Sequence, residues 1–474
     1  MINPSIFREY DIRGVAETDL TDAAVERIGK AYGTYLQNKL HGHSSAFGAK
    51  KKIVLGRDGR LSSPRIREAL MRGILSTGIH VTDLGIITTP ILYFSIVHLK
   101  MEGGIMVTGS HNPREFNGLK ICVGKDTIHG SEIQSLRKLA EGGNFTVGQG
   151  ELDHVEVITV YQKFLKEKFV LKRKLKVVVD AGNGTASVVA PKLFRDLGCE
   201  VTELFCDLDG NFPNHFPDPT EEKNLKDLMG KVVALQADLG IAFDGDADRL
   251  GVVNEKGQII YGDRMLLLFA RDLLADKKGV PIIGEVKCSK ILFEDIARHG
   301  GQPIMWKAGH SLIKAKMRET GAPLAGEMSG HFFFGDRYFG FDDGVYAACR
   351  TLDILSKTGK PLSVLFEDVP ELYSTPEMRV DCPDARKFEI VRKAVEYFKK
   401  SYDVIDIDGA RINFPDGWGL VRASNTQPVL VMRFEANSKS KLEQIQSLVE
   451  GKIREFSKEP ATRNPNDMKG YESL

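Results

Sequence analysis

The 474 residues hold no C-x-x-C pair, no excess of either charge and no apolar run long enough to cross a bilayer. Each absence removes a class of function. The six cysteines (Cys122, Cys199, Cys206, Cys288, Cys349 and Cys382) stand singly. They read as small core residues in a reducing compartment, with neither a disulfide framework nor a zinc site. The 65 basic residues are met by 64 acidic ones, which argues against nucleic acid as the main partner while leaving local basic pockets open. Met1-Ile2-Asn3-Pro4 carries no basic start followed by an apolar stretch, so no targeting segment is expected. Together with the missing membrane span, this predicts a soluble, cytoplasmic protein with no membrane partner. No G-x-x-x-x-G-K-[ST] loop occurs, so a nucleotide-dependent kinase is not expected. Asp180-Ala181-Gly182-Asn183-Gly184-Thr185 lacks the third glycine of a dinucleotide fingerprint, Ser187 standing there instead, and reads as a simple β-to-α turn.

What is present is a repeat. The length suggests three or four domains. Lys52-Ile53-Val54-Leu55 reads as a strand, Ser63-Pro64 as N-cap and first-turn proline of a helix, and His80 to Leu84 as a second strand. Ile66, Leu70, Ile74 and Leu75 fall at helical spacing between them, and Gly78 closes the helix. The same unit begins again at Lys176-Val177-Val178-Val179-Asp180 and at Pro281-Ile282-Ile283-Gly284-Glu285-Val286. After each copy a further apolar strand runs into a loop rich in functional side chains. These loops are Thr108-Gly109-Ser110-His111-Asn112-Pro113, Asp244-Gly245-Asp246-Ala247-Asp248-Arg249 and Gly326-Glu327-Met328-Ser329-Gly330-His331. The fourth region differs: a strand near 377–380, a helix carrying Phe388, Val391, Val395 and Phe398, several strands, and a last amphipathic helix with Leu442, Ile445, Val449, Ile453 and Phe456 on one face. The fold expected is α/β: three related α/β domains with mixed sheets, then a smaller α+β domain with an antiparallel sheet and two helices. The divisions expected are 1–155, 156–257, 258–372 and 373–474, with a polar tail after Lys458.

Each loop suggests its own chemistry. Ser110 falls at the tip of a tight turn, on the sheet edge where open α/β folds collect ligands, with Gly109 easing the turn and His111 bringing an imidazole beside the hydroxyl. Asp244, Asp246 and Asp248 alternate within one loop, and such carboxylates repel unless a hard cation or hydrogen-bond donors neutralise them. An EF-hand is disfavoured because Arg249 occupies the position that needs glycine and the flanks read as strands. Glu327 and Ser329, two residues apart, can face one ligand. Arg422-Ala423-Ser424-Asn425-Thr426-Gln427-Pro428 joins two strands and offers an arginine, hydroxyls, an amide and turn N–H groups to a dianion.

These four motifs, in this order and across nearly the whole chain, resemble the α-D-phosphohexomutases, the family of phosphoglucomutase and phosphomannomutase. The resemblance implies a mutase that interconverts the 1- and 6-phosphates of mannose and glucose. Its intermediates would be a phosphorylated Ser110 and a bound hexose 1,6-bisphosphate, which also acts as activator. One Mg²⁺ per chain would be held by Asp244, Asp246, Asp248 and an oxygen on Ser110, with Arg249 beside that phosphate. Catalytic roles would fall to Ser110, His111, Lys120, Arg13 and His331. Lys120, His331 and Arg13 are the acid/base candidates, and Lys120 would need clustered positive charge to lower its pKa. Substrate would be bound by Tyr10, Lys287, His310, Glu327, Met328, Ser329, Arg422, Ser424, Asn425 and Thr426. At position 308 the family commonly has threonine and this chain has alanine. Hexose phosphates are the expected small-molecule partners and a monomer the expected state. The alternatives are a phosphoglucosamine mutase, for which the Ser-Gly-Thr form of the last loop is missing, and a metal-dependent sugar-phosphate phosphatase. A non-catalytic sugar-phosphate or calcium-binding protein would leave Ser110 without a role.

Overall fold

The computed structural model describes residues 2–40, 51–425 and 427–458. The expected tail therefore lies outside the described residues, as does Thr426.

The repeat is realised as a shared sheet topology. In the first sheet Lys52–Arg57 lies between two parallel neighbours, His80–Ile86 and Gly103–Val107. In the second, Lys176–Asp180 lies between Glu200–Leu204 and Leu239–Phe243, again all parallel. In the third, Pro281–Glu285 lies between Gln302–Trp306 and Leu324–Gly326. In every case the last of these parallel strands turns back through a short loop into an antiparallel neighbour: Phe116–Val123, Leu250–Asn254 and Phe332–Phe334. The three functional loops are these three turns. A topological rule thus places them all at the carboxyl ends of equivalent strands, where ligands collect in open sheets. Ile12–Val15 adds antiparallel to Phe116–Val123 at the edge of the first sheet, and Ile259–Ile260 adds to the second.

The fourth sheet is antiparallel, built from Tyr373–Ser374, Met378–Asp381, Asp403–Ile405, Ala410–Phe414, Gly417–Ala423 and Val429–Ala436. The helices Asp384–Phe398 and Lys439–Lys458 cover it. The loop singled out there is again a turn, between Gly417–Ala423 and Val429–Ala436.

One apolar core runs without a break from the first sheet through the second to the third, from Val54 and Ile91 past Val179 and Ile241 to Leu266 and Leu352. The fourth domain has its own core and meets the third through the small apolar cluster of Val286, Trp418 and Leu420 and through polar bonds, Arg411 donating to Val286 O and Cys288 O and Arg433 to Lys287 O. The first three loops share one core, while the fourth is joined to them largely by polar contacts.

One local expectation is corrected. Ser63 is inside the helix Ser63–Leu75 and not its cap; its hydroxyl donates to Asp58, and Ser62, at the cap position, makes no capping bond. Phe388 is 51% exposed, because the buried stripe of its helix runs through Ile390, Val391, Ala394 and Phe398.

Candidate active site

The four loops and the Arg8–Arg13 segment line one cleft of about 770 Å³. Ser110 lies at its floor, 3% exposed, with φ of 49°, in the left-handed region that non-glycine residues rarely enter. Its N–H donates to Thr108 Oγ1 at 2.8 Å, and its hydroxyl donates to Asp244 Oδ2 at 2.8 Å. His111 Nδ1 is 3.1 Å from the same hydroxyl. Burial, then the charges of Arg249 and Arg13, hold that imidazole well below its ordinary pKa. Arg13 ion-pairs with Asp11 and donates to Gly109 O at 2.8 Å and Asn112 Oδ1 at 3.1 Å.

Asp244, Asp246 and Asp248 are all fully buried, with one oxygen of each within 4.8 Å of the others. The strands Leu239–Phe243 and Leu250–Asn254 flank them, as the sequence requires. Burial, then Asp248 and Asp246, push the Asp244 carboxyl well up. Asp246 Oδ1 has no hydrogen-bond partner, and Asp248 Oδ1 has only the His331 imidazole, 3.2 Å away. Buried carboxylate oxygens left over in this way, beside a serine hydroxyl, suit a hard divalent cation with oxygen ligands.

Lys120 donates to Asp246 Oδ2 at 2.6 Å and to Asp248 Oδ2. Its immediate partners are therefore carboxylates. Burial opposes its charge, but Asp246, Asp248 and Asp244 outweigh burial and hold the ammonium above the ordinary lysine range. Arg249 Nε is 3.9 Å from Asp244 Oδ2 and 3.3 Å from His331 Nε2.

The 326–331 loop packs backbone to backbone on the aspartate loop, Leu250 N–H donating to Gly330 O at 3.0 Å. Glu327 Oε1 accepts from Gly309 N–H at 2.7 Å, and Oε2 lies 2.8 Å from His331 Nδ1. His331 therefore joins Glu327 to Asp248. Burial opposes its charge, yet Asp248 and Glu327 raise it to about 9; against the same burial, His331 and Lys287 bring Glu327 down to about 2. Ser329 Oγ is 3.2 Å from His331 Nδ1, and Met328 N–H donates to Glu285 Oε1 at 3.2 Å. Lys287 Nζ pairs with Glu377 Oε2 at 2.9 Å. His310 Nδ1 is buried without a hydrogen bond, 3.7 Å from Asp342 Oδ2.

The fourth loop reaches the same cleft. Asp408 grips Arg422 from behind, at 3.0 and 3.4 Å, and its Oδ2 also accepts from Ala308 N–H at 3.0 Å. Tyr10 donates to Ala308 O at 3.0 Å and accepts from Asn425 Nδ2 at 2.7 Å. Position 308 thus contributes its peptide, which alanine supplies as well as threonine. Lys387, buried beneath the loop, donates to Ser424 O at 2.6 Å and Gln427 O at 3.1 Å.

The structure brings together every described residue that sequence reasoning selected. It also shows several that reasoning missed: Asp58 and Arg60 under the serine loop, Thr89 on Asp246, Asp408 behind Arg422, and Lys387. The charged stretch Gly56-Arg57-Asp58-Gly59-Arg60 was the one visible hint, and it reads equally well as a solvated turn.

Residues 4–145, 159–257, 261–373 and 377–452 match, in turn, phosphoglucomutase/phosphomannomutase alpha/beta/alpha domains I, II and III and the C-terminal domain. A Pseudomonas syringae pv. tomato protein named phosphomannomutase/phosphoglucomutase is 47% identical over 455 residues, covering 96% of each chain. A Neisseria gonorrhoeae protein named phosphoglucomutase is 45% identical over 451 residues, covering 94% of this chain and 96% of its own. The crystal structure of a phosphoglucomutase/phosphomannomutase family protein from Burkholderia thailandensis superposes with a TM-score of 0.89 at 43% identity, covering 97% of this chain and 99% of that one. With all four domains matched in order, the chain belongs to the phosphoglucomutase/phosphomannomutase family of α-D-phosphohexomutases.

Proposed function

We propose that the protein is a phosphohexomutase that interconverts hexose 1-phosphate and hexose 6-phosphate, accepting both mannose and glucose. The observation that carries this reading is the Ser110 hydroxyl 2.8 Å from Asp244, at the floor of a cleft whose other walls hold a polyol reader and an anion loop. A phosphatase would need only the floor. Ser110 carries a phosphoryl group and gives it to the free hydroxyl of a bound hexose monophosphate. Lys120, His331 and Arg13 are the acid/base candidates: the neighbouring carboxylates keep Lys120 and His331 protonated, so either acts first as an acid toward a sugar oxygen and takes the hydroxyl's proton once it has given up its own. The bisphosphate turns over in the cleft, and its other phosphoryl group returns to Ser110 as the sugar oxygen regains a proton.

Asp244, Asp246, Asp248 and an oxygen on Ser110 would hold Mg²⁺. When bound, the ion offsets the roughly −1.5 to −2 charge of a phosphoserine and stabilises the transferring group. Arg249 is positioned beside that group. The remaining work is positioning and electrostatics. Arg422, Ser424, Asn425 and Thr426 hold the phosphate that is not reacting, with Lys287, His310 and Tyr10 on the same wall. Glu327, Met328 and Ser329 read the sugar. The protein would act as a monomer in the cytoplasm, on small hexose phosphates, with no nucleic acid or membrane partner.

The specificity follows from the turnover. Rotating the bisphosphate exchanges its phosphates and approximately exchanges the 3- and 4-hydroxyls, so a reader gripping those two works in both orientations. The 2-hydroxyl has no equivalent, and glucose and mannose differ only there. Comparable rates are therefore expected on glucose and mannose phosphates. Galactose, inverted at carbon 4, leaves a buried polar group unpaired, which costs about 1–3 kcal/mol or roughly 5- to 150-fold in kcat/KM. Rates on the three hexose 1-phosphates test this. Efficient galactose turnover, or strong discrimination between glucose and mannose, would overturn it.

A further inference from the structure

Arg60 is 1% exposed, yet its guanidinium makes no contact with the cleft. Its bonds go instead to backbone carbonyls of one loop. Nη1 donates to Pro113 O at 2.7 Å and Phe116 O at 3.0 Å; Nη2 donates to Ser110 O at 2.9 Å and Asn112 O at 2.5 Å. A planar fork of donors is the one side chain that can hold four carbonyls at once. Asp58 completes the fixture: Oδ1 accepts from Arg60 N–H at 3.0 Å and Oδ2 from Gly109 N–H at 3.0 Å. The same Oδ2 lies 3.3 Å from Arg60 Nε, so the two charges are paired. The fit is close, since a Cβ at Gly109 would lie 2.4 Å from Arg60 Cζ and from Nε. The second domain seals the other side. The Phe212 ring lies 5.1 Å from Arg60 Cζ, and a Cβ at Gly210 would lie 2.4 Å from Gly59 O. From the metal loop, a Cβ at Gly245 would lie 2.4 Å from Ser110 O.

Burying an arginine that touches no substrate is costly unless its charge is paired and its donors engaged. Here they converge on the loop that carries the strained Ser110 backbone. We propose that Arg60 is a positioning residue for phosphoryl transfer. It holds the peptides that follow Ser110, so that the serine oxygen keeps its place against Asp244 as it gains and loses the phosphoryl group. This rests on Ser110 being the carrier. Because Arg60 is remote from the sugar and anion loops, its loss should alter the transfer step while leaving substrate affinity nearly intact. A misplacement of about 1 Å at a reacting atom can cost on the order of 100-fold in rate.

The test uses full-length Arg60→Lys and Gly109→Ala; the second displaces the guanidinium without removing it. Melting temperature establishes that each is folded. Steady-state kcat and KM are then measured with hexose 1,6-bisphosphate present, alongside the rate at which Ser110 acquires phosphate from the bisphosphate, read by intact mass. The expected result is a kcat lower by about 10- to 100-fold with KM changed by less than about 3-fold, and phosphorylation of Ser110 slowed by the same factor as kcat. If Arg60→Lys does not fold, Gly109→Ala decides alone. Normal kcat in a folded variant, or a loss confined to KM, would overturn the proposal. If the wild type itself acquires no phosphate at Ser110, the carrier assignment fails instead, and the two failures are distinguishable.

Discussion

Ser110 holds a φ of 49°, and Ala247, inside the metal loop, holds 60°. Such conformations cost on the order of 1–3 kcal/mol each and persist only where the surroundings over-determine them. Around Ser110 those surroundings are the Thr108 hydroxyl, Arg60 and Asp58, all acting on backbone. The hydroxyl itself is left to face Asp244 and His111. Ser110→Ala should fold normally, as it loses one side-chain bond to a carboxylate, and should lose about 100-fold or more of its mutase turnover; near-normal turnover would remove Ser110 from the mechanism. Asp246 is the residue whose loss should bear most directly on the cation, because one of its oxygens is buried without a partner. Asp246→Asn should weaken Mg²⁺ binding by about 10-fold or more, measured by calorimetric titration. Chelation of the wild type should abolish turnover and added Mg²⁺ restore it.

At the scale of elements, helix Gly344–Thr358 begins with Asp343, whose side chain accepts from Tyr346 N–H at 2.8 Å. The same carboxyl receives the Tyr161 and Tyr338 hydroxyls, and burial pushes it up to about 7 despite these bonds. A raised acid binds its proton more tightly folded than unfolded. Its stabilising effect is therefore full below about pH 4 and is lost as pH rises through about 7, with a slope of up to about 1.4 kcal/mol per pH unit. Asp343→Asn should remove that slope, so the gap in melting temperature between wild type and variant should change between pH 5 and pH 8. A constant gap would contradict the assignment.

The elements also show what could be read from the chain. The three strand-to-loop units were legible because each pairs a short apolar run with a loop of unusual composition, and the topology repeats. The aspartate loop was legible as a candidate cation site because three alternating aspartates repel one another and so call for a cation or donors within reach. Ser62 and Ser63 misled because either serine before Pro64 can cap, and the choice is settled by Asp58 and Asn117, which bind their hydroxyls. Asp408 and Lys387 were invisible because they act on another side chain, or on backbone carbonyls, brought near only by tertiary folding; Arg60 lay in a visible charged stretch, but the carbonyls it holds did not. The carboxylates beside Lys120 were out of view for the same reason. Its carboxylate partners are 126 and 128 residues away in the chain.

For the whole molecule, the polar contacts that join the fourth domain to the others give Tyr10 a particular place. Its hydroxyl joins the first domain to the Ala308 peptide of the third and to Asn425 of the fourth. Tyr10→Phe removes both bonds, each worth about 0.5–1.5 kcal/mol, so the folded protein should lose about 1–3 kcal/mol, read as a lower melting temperature, and KM should rise; an unchanged melting temperature would contradict this. The anion loop must reach a phosphate whose other end lies near Ser110, so bisphosphate should make the wild type more compact in solution scattering. Identical profiles with and without it would count against a large closure. The most direct measurement is the intact mass of purified protein before and after exposure to hexose 1,6-bisphosphate and then to hexose 6-phosphate. The expected result is a gain of about 80 Da, one phosphoryl group, that maps to Ser110, disappears when the monophosphate is added, and is absent in Ser110→Ala. A protein that turns over hexose phosphates while never carrying that mass on Ser110 would contradict the phosphoserine mechanism.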